Sequence, residues 1–252
     1  MYAAKGGGLE IKMSALDKLN IADILSSCTY PGRGIVVGTT PDGENAVFAY
    51  FIMGRSENSR NRVFEEKENG EIITAPFDAS KVEDPSLIIY SPVKVWGDTT
   101  VVTNGDQTDT IYDYLKAGKS FEEALETRCF EPDAPNFTPR ISAALKVADG
   151  KYTYKMSILK SCDKDGSDCM RYTYAYPSMA GIGTFIHTYM KDGNPLPSFE
   201  GEPERVGVEN DIDAYTKTIW DNLNADNKIS LYVRYINIKT GNTTSRLINK
   251  NV

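Results

Sequence analysis

Three arginines stand within eight residues of one another in the segment 54–62, directly after an apolar run. They are Arg55, Arg60 and Arg62. Guanidinium groups bind phosphate oxygens in a bidentate manner and keep their proton at physiological pH. A loop of this kind at the end of a strand predicts a site for a phosphomonoester. A solvated charged loop would have the same composition, so the segment alone leaves both interpretations open.

A second polar cluster, residues 104–109, follows an apolar strand-like run and leads into a helical pattern. Small polar residues at such a junction can present side chains and free backbone N–H groups to a ligand. A helix cap made by Asp106 or Thr108 would explain the same residues without a ligand.

The segment 131–140 contains three prolines in ten residues, which predicts a stiff loop without helix. A stiff loop can hold catalytic side chains in a fixed geometry. A plain connection with an exposed Arg140 is the competing interpretation.

Histidine and cysteine usage argues against a metal centre. His187 is the only histidine and is flanked by apolar residues, which favours a structural role. Four cysteines are too few for a disulfide scaffold in 252 residues. Cys162 and Cys169 bracket a polar turn, so we expect hairpin neighbours rather than zinc ligands. We predict no metal and no cofactor.

Composition indicates one globular domain. Hydrophobic residues make up 40% of the chain and charged residues 25%, and the formal net charge is -7. The negative charge disfavours general nucleic-acid binding. No run approaches the roughly 20 apolar residues of a membrane span, and residues 1–12 lack the apolar run of a signal peptide. We therefore expect a cytoplasmic protein with a flexible leader at 1–12 and a single domain at 13–252.

Hydrophobic periodicity and turn residues predict the elements that must position these groups. Helices are expected at 17–25, 108–117, 120–128 and 211–223, and Ser120 with Glu123 has capping-box spacing. Strands are expected at 34–40, 45–53, 87–90, 93–96, 99–103, 141–147, 152–159 and 170–177, with 229–238 as the last. Hairpins with helices between two strand-rich blocks favour an α+β layered domain over a doubly wound sheet. Neither a dinucleotide fingerprint nor a phosphate-binding Walker loop is present.

Taken in order, several short motifs resemble the archaeal-type IMP cyclohydrolase family. Each motif is weak alone, but their order across residues 30–141 is fairly specific. The matching residues are Tyr30-Pro31-Gly32-Arg33, Ala49-Tyr50, Arg55-Ser56, Asn61-Arg62, Tyr90 to Val95, Thr103 to Asp109, and Glu131 with Asn136 to Ile141.

The resemblance implies a fold and an activity. The fold would be a four-layer αββα sandwich of two mainly antiparallel sheets, similar to the N-terminal-nucleophile hydrolases but without a processed nucleophile. The activity would be closure of the purine ring of 5-formamidoimidazole-4-carboxamide ribonucleotide to IMP with loss of water, in de novo purine biosynthesis. The partner would be a purine nucleotide, with no nucleic acid and no membrane. Whether the chain forms a homo-oligomer stays open.

The resemblance also implies the site residues. Tyr90, Lys94 and Glu131 would be catalytic. The substrate and its phosphate would be bound by polar residues from all the matching motifs: Arg33, Arg55, Ser56, Asn61, Arg62, Asn104, Asp106, Thr108, Asp109, Asn136, Thr138 and Arg140.

Some residues depart from the family pattern. Phe51 stands where the family has a basic residue, Gln107 where it often has histidine, and Phe137 is an extra residue. The segment 179–204 is also long. Two alternatives therefore stay open, an amidohydrolase with Cys28 as an N-terminal nucleophile and a non-catalytic module that binds purine nucleotides.

Overall fold

A computed structural model describes residues 17–82 and 90–252, which form a mixed α/β structure. The helices are α1 (Ile21–Ser27), α2 (Glu57–Arg60), α3 (Gln107–Lys116), α4 (Phe121–Glu126) and α5 (Ile212–Asn222), with a 3-10 turn at Ala79–Lys81. The strands are β1 (Arg33–Thr39), β2 (Asn45–Met53), β3 (Arg62–Glu66), β4 (Ile72–Pro76), β5 (Val93–Trp96), β6 (Thr99–Thr103), β7 (Arg140–Ala148), β8 (Lys151–Ser161), β9 (Cys169–Pro177), β10 (Ile182–His187), β11 (Glu204–Gly207), β12 (Lys228–Asn237) and β13 (Thr243–Asn249).

The strands form two antiparallel sheets. The first sheet has six strands in the order β11-β10-β1-β2-β12-β13. The second has seven strands in the order β3-β4-β5-β6-β7-β8-β9. The strands of the second sheet lie side by side in their sequence order, whereas β10 and β12 flank the hairpin β1–β2 in the first sheet from distant parts of the chain.

Apolar side chains divide into three clusters that follow the sheet faces. One contains residues of both sheets, such as Ile35 and Phe48 with Ile72 and Val102, so the sheets face each other across it. The second joins the other face of the first sheet to α1 and α5, and the third joins the other face of the second sheet to α3 and α4. Strand β2 is buried on both faces because apolar clusters lie on each side of it.

Most predicted elements are confirmed. Residues 45–53, 93–96 and 99–103 are strands with the predicted bounds, and the other elements predicted after residue 90 agree to within two residues, as does the predicted strand 34–40. The capping box at Ser120 forms as predicted. The first helix starts later than predicted, at Ile21, because the Asn20 side chain caps it by accepting from Ala22 N. The pair Cys162 and Cys169 lies in the β8–β9 hairpin, and both thiols are free.

Two features differ from prediction. Strand 229–238 was expected to be the last, but residues 238–242 turn the chain into β13. Strands β3, β4, β10 and β11 were not predicted; β3 carries three charged residues and β11 has only four residues. The predicted leader and residues 87–89 of the predicted strand 87–90 lie outside the described residues. None of the helices in the described part of the chain has the length and apolar character that crossing a membrane requires.

Candidate functional site

Arg33 is the first residue of β1 and lies on the same face as Ile35, towards the second sheet. Its Nε is buried without a hydrogen-bond partner. Within residues 17–82 and 90–252, no hydrogen bond is made by its guanidinium. Burial alone would lower the pKa of Arg33, but the negative charge of Glu131 and the nearby tyrosines raise it. Arg33 is therefore a partly buried cation whose hydrogen-bond donors are available to a ligand.

Arg62, the first residue of β3, is a buried cation, with 2% of its surface exposed. Its Nε donates to Ser59 O at 2.7 Å and its Nη2 to Met53 O at 3.3 Å. Burial lowers the pKa of Arg62, and the charge of Arg33 lowers it further. The two guanidinium groups are therefore close enough to repel each other, and an anion bound between or beside them would reduce this repulsion.

Glu131 and Arg140 lie at the two ends of the proline-rich loop and meet beside Gly105. A Cβ placed on Gly105 would be 2.6 Å from Arg140 Nη1 and 3.5 Å from Glu131 Oε1. Burial raises the pKa of Glu131, while the charges of Arg33 and Arg140 oppose that rise. Among the described residues, no hydrogen bond reaches the Glu131 carboxylate. A buried carboxylate of this kind is a stronger base than a solvated one.

Tyr90 joins this group from the second sheet. Its hydroxyl lies 3.1 Å from the hydroxyl of Tyr50, which is fully buried on β2. Burial raises the pKa of Tyr50 well above its usual value, and Tyr90 raises it further. Arg33, Arg62, Tyr90, Glu131 and Arg140, which come from five separate stretches of sequence, thus form one cluster, which we call the arginine–glutamate cluster.

Lys94 lies outside the arginine–glutamate cluster. Val93 and Lys94 are successive residues of β5, so their side chains point to opposite faces of the sheet. Val93 belongs to the core between the sheets, and Lys94 therefore lies on the side of α3. Its ammonium is 2.7 Å from Asp109 and lies over the ring of Tyr112. Burial would lower the pKa of Lys94, but the hydrogen bond and charge of Asp109 outweigh it, so the pKa is raised. Lys94 and Asp109 form an ion pair beside α3.

The arginines of segment 54–62 do not share one site. Arg55 lies over the ring of Tyr30, with its Nη1 bonded to Asp192 at 2.6 Å and to Gly193 O at 2.8 Å. Arg60 donates to Gly54 O and to the Asn227 side chain. Only Arg62 of the three turns towards the arginine–glutamate cluster.

The polar residues at the start of α2 and β3 have structural partners. Ser56 caps α2 by accepting from Ser59 N. The side chain of Asn61 bonds the backbone of Asp78 in both directions, at 2.8 and 2.7 Å.

The polar segment before α3 holds Arg140 in place. Asn104 bonds Pro139 O and Ile141 N, at 2.9 Å each, which ties this segment to the start of β7. Arg140 Nη1 donates to Asp106 at 2.5 Å and to Gln107 Oε1 at 2.6 Å. The pKa of Asp106 is lowered because Arg128 and Arg140 outweigh the effect of its burial.

Three predicted residues of these loops bond within the protein. Thr108 closes the turn before α3 through Thr103 at 2.6 Å. Asn136 Oδ1 accepts from Leu196 N at 3.0 Å. Thr138 is buried and bonds Asp133 and Tyr189.

Sequence reasoning did not select Asp133 or Tyr189, which the fold brings to the arginine–glutamate cluster. Asp133 lies in the proline-rich loop together with Glu131, and nothing in the sequence of the loop distinguished it as a site residue. Tyr189 follows β10 in the segment 179–204, which the resemblance did not reach. No local pattern around Tyr189 pointed to the site, since only the pairing of β10 with β1 brings it there.

Two of the three residues that depart from the family pattern, Phe51 and Gln107, have different structural consequences. Phe51 packs against Phe185 in the cluster between the first sheet and α1 and α5, on the opposite face of β2 from Tyr50. It therefore does not line the arginine–glutamate cluster. Gln107 accepts a hydrogen bond from Arg140 and donates one to Asn104, so it helps to fix the position of Arg140 in the cluster.

Cys28 and His187 have other partners. The Cys28 thiol, whose pKa is raised mainly by burial, lies 3.5 Å from Met190 O. His187 bonds Tyr189 O at 2.8 Å, stacks on Phe185 and makes an edge contact with Phe199, which supports a structural role. Across residues 17–82 and 90–252, no group of three or more His, Cys, Asp or Glu side chains is arranged to hold a metal ion.

A cavity of about 640 Å³ lies elsewhere, on the outer face of the second sheet beside Trp96 and Phe121. None of the residues of the arginine–glutamate cluster lines it. We assign the candidate site to the cluster because ionisable groups with shifted pKa values converge there, which is typical of functional sites.

Sequence comparison identifies similar proteins. A sequence model of the family described as "IMP cyclohydrolase-like protein" matches residues 30–242. An IMP cyclohydrolase of Methanococcus maripaludis strain C7 is 35% identical over 120 residues, which cover 46% of this chain and 58% of that protein. An IMP cyclohydrolase of Methanopyrus kandleri is 33% identical over 126 residues, or 48% of this chain and 60% of that protein. The chain thus spans less than two thirds of the length of the curated relatives it matches.

Proposed function

The chain belongs to the IMP cyclohydrolase-like protein family, and we propose on that basis that it closes the purine ring of 5-formamidoimidazole-4-carboxamide ribonucleotide to IMP with loss of water. The observation that carries the proposal is the positive charge of the partly buried Arg33 and the buried Arg62 beside Glu131 and Tyr90. In a chain with a net charge of -7, a guanidinium whose buried Nε has no hydrogen-bond partner points to an anionic ligand.

The phosphate of the nucleotide is the anion we propose for this place. Arg33 offers a guanidinium whose donors are unused among the described residues, and Arg62 and Arg140 add positive charge around it. Arg62 and Arg140 are held by hydrogen bonds within the protein. We propose that they add to the positive potential at the phosphate, while Arg33 contacts the phosphate directly.

The ring closure depends more on orienting the two reacting groups of the substrate than on activating either of them. The carboxamide nitrogen and the formyl carbon belong to the same molecule, so holding one rotamer raises their effective concentration. Ring closure forms a bond between the carboxamide nitrogen and the formyl carbon. The formyl C–O bond then breaks as a C=N bond to the formamido nitrogen forms, and the oxygen leaves as water with one proton from each of the two nitrogens. No redox change occurs.

Glu131 is the group we propose for the proton transfers. Its carboxylate takes the proton of the attacking carboxamide nitrogen, for which a pKa raised by burial is favourable. The same proton can then be returned to the hydroxyl group that departs as water.

Tyr90 is the donor we propose for the formyl oxygen, on which negative charge develops during attack. We propose that the fully buried Tyr50, whose hydroxyl lies 3.1 Å away, donates to the Tyr90 oxygen and so leaves the Tyr90 proton for the substrate. Lys94 is paired with Asp109 outside the cluster, so we propose no direct contact between Lys94 and the substrate.

Several broader features are part of the same proposal. The architecture would be a four-layer αββα sandwich similar to the N-terminal-nucleophile hydrolases, supported by the helices packed on the outer face of each sheet. Residues 13–252 would form one domain acting in purine biosynthesis in the cytoplasm, with no cofactor.

A cyclisation assay tests the proposal. Purified protein is mixed with the formamido ribonucleotide, and the absorbance change of ring closure is followed together with IMP formation by chromatography. Turnover well above the uncatalysed rate is expected. Tight IMP binding without turnover would instead indicate a binding module, and loss of the first 27 residues in an intact mass would indicate the amidohydrolase.

A further inference from the structure

Strand β9 is an outer strand of the second sheet, and among the described residues only one of its sides is paired. It runs antiparallel to β8 from Cys169, opposite Ser161, to Pro177, opposite Thr153, without a shift in register. Proteins usually protect an outer strand with lysines, internal prolines or bulges, because its unpaired backbone groups can pair with another chain. β9 has no lysine and no bulge, and its only proline is the last residue. Its free side can therefore accept a further strand.

The register shows which backbone groups of β9 face outward. Cys162 N donates to Asp168 O at 3.0 Å where the β8–β9 hairpin closes. Hydrogen-bonded and non-hydrogen-bonded pairs alternate along an antiparallel ladder, so every second residue of β9 turns its N–H and C=O away from β8. Arg171, Thr173 and Ala175 are residues of this kind, and all three are exposed. Within residues 17–82 and 90–252, no hydrogen bond from outside β8 reaches their backbone groups.

The other outer strands are covered by residues of the same chain. β3 is met by the Asn249 side chain of β13, which accepts from Phe64 N at 2.8 Å and donates to Phe64 O at 3.0 Å. β11 is met by Leu19, whose N donates to Arg205 O at 2.8 Å and whose O accepts from Gly207 N at 3.2 Å. β3 and β13 thus cover each other, and the segment before α1 covers β11. β9 differs from them because the described part of the chain supplies no such cover.

The sequence of β9 is complementary to itself when two copies run antiparallel and overlap fully. Thr173 is the middle residue of the strand, so it would lie opposite Thr173 of the second copy. Tyr172 would lie opposite Tyr174 and Arg171 opposite Ala175, so aromatic rings meet and no two like charges face each other. The outward backbone groups of the two copies coincide in this register. About six backbone hydrogen bonds can then form, two for each of three residue pairs.

Side chains of β9 leave its free side open. The Tyr174 hydroxyl donates to Gly201 O at 3.1 Å, which holds its ring on the face of the sheet. Arg171, the only charged residue of β9, donates to Arg128 O at 2.9 Å and so lies on the opposite face, towards the end of α4. Tyr172 is 40% exposed, which is unusual for a large side chain of this protein. A second copy of β9 would cover it with Tyr174.

We propose that two copies of this chain associate through β9, joining their second sheets about a two-fold axis at Thr173. A two-fold contact of this kind uses both free sides at once, so it closes as a dimer and does not extend into a fibre. The proposal does not depend on the reaction that the protein catalyses, because it rests on the backbone and the side chains of β9 alone.

Thr173→Pro is the first test, because it removes an outward N–H and leaves the bonds between β8 and β9 in place. Sedimentation equilibrium of the wild type at micromolar concentrations should give about twice the 27.9 kDa mass of one chain. The variant should raise the dissociation constant of the dimer by on the order of 100-fold, since two central backbone bonds are lost. Thr173→Val is the matched control. It keeps the N–H and the branched shape, so the constant should change less than about threefold.

Thr173→Lys and Thr173→Glu test the position of the axis. Each variant alone brings two like charges together at the centre of the contact, so we expect the mass of one chain. An equimolar mixture places a lysine opposite a glutamate and should restore the dimer. Full overlap about Thr173 is the register that sets residue 173 against itself, so recovery in the mixture locates the two-fold axis.

The outcomes decide the proposal in each case. A wild type that keeps the mass of one chain would overturn it. A dimer that folded Thr173→Pro leaves as tight as the wild type would overturn it as well, because another surface would then hold the copies together. If circular dichroism shows that Thr173→Pro does not fold, the charge variants decide. Undiminished dimers of each charge variant alone, or a mixture that stays at the mass of one chain, would contradict the proposal.

Discussion

The hydroxyl of Tyr50, in the middle strand pair of the first sheet, lies 3.1 Å from the hydroxyl of Tyr90, which precedes β5 of the second sheet. The bond joins β2 to the segment before β5, near the partly buried Arg33 and the buried Arg62. Because burial keeps Tyr50 protonated, Tyr50 can serve as the donor and Tyr90 as the group that faces a ligand.

Replacing the two tyrosines singly and together should show whether Tyr50 acts through Tyr90. Tyr90→Phe removes the proposed donor to the formyl oxygen and should lower kcat by on the order of 10²-fold. Tyr50→Phe should lower kcat less, about three- to tenfold, because Tyr90 keeps its proton but loses its support. In the double variant the Tyr50 change should add almost nothing, and additive losses in kcat would argue against a shared role.

Glu131→Gln should abolish proton transfer while keeping the shape of the side chain. We expect kcat to fall by on the order of 10²–10⁴-fold and KM to change only a few-fold. The measurement is steady-state cyclisation, with Glu65→Gln, on the exposed pair with Lys67, as the control. An unchanged kcat would remove Glu131 from the mechanism.

The dependence of kcat on pH should report the Glu131 carboxylate. The base must be deprotonated, so activity should fall as pH falls through a pKa that burial raises above the ordinary glutamate value. Arg140 opposes that rise, so Arg140→Met should raise the pKa further and move the acidic limb to higher pH. Arg60→Met, which changes a cation bonded to Gly54 and Asn227, should leave the limb in place. A limb that Arg140→Met leaves unmoved would contradict the assignment.

Local sequence patterns predicted the regular elements well for a physical reason. Strands such as β2 and β6 carry their signal in consecutive apolar residues, and Ser120 with Glu123 carries the signal for a helix start. β11 and β13 carry no such signal, because they are edge strands with few buried residues. Their positions depend on pairing partners that are distant in sequence.

The sequence predicted a site residue only where a residue type suited to the chemistry also stood in one of the ordered motifs. The ordered motifs placed Arg33, Arg62, Tyr90, Glu131 and Arg140 in one pocket, and the structure brings these residues together. Arg55 matches the same pattern but turns towards Asp192, which no local rule in segment 54–62 could indicate. Tyr189 could not be predicted because its relation to Arg33 arises from the pairing of β1 with β10.

Ligand affinity should separate Arg33 from the other arginines. Arg33→Met removes a cation with unused donors, so the Kd of IMP should rise by on the order of 100-fold, within the range for charge-assisted bonds. Arg60→Met should leave that Kd within twofold, because Arg60 is bonded to Gly54 and Asn227. Calorimetric titration of both variants checks this. Equal effects of the two substitutions would mean that the phosphate lies elsewhere.

Gly34→Ala should destabilise the protein without touching the site. A Cβ on Gly34 would lie 2.3 Å from the ring of Phe51 and 2.8 Å from that of Phe185, both of which are buried. Overpacking of this kind costs about 1–3 kcal/mol in free energy of unfolding, which urea denaturation can measure. Gly207→Ala on β11 is the control, since its Cβ would meet only the Lys18 side chain at 3.9 Å and should change stability by less than about 0.5 kcal/mol. Adding Phe51→Leu to Gly34→Ala should restore part of the loss, because the smaller side chain makes room. If the two glycine variants unfold alike, Phe51 does not fill the space above Gly34 in the way described.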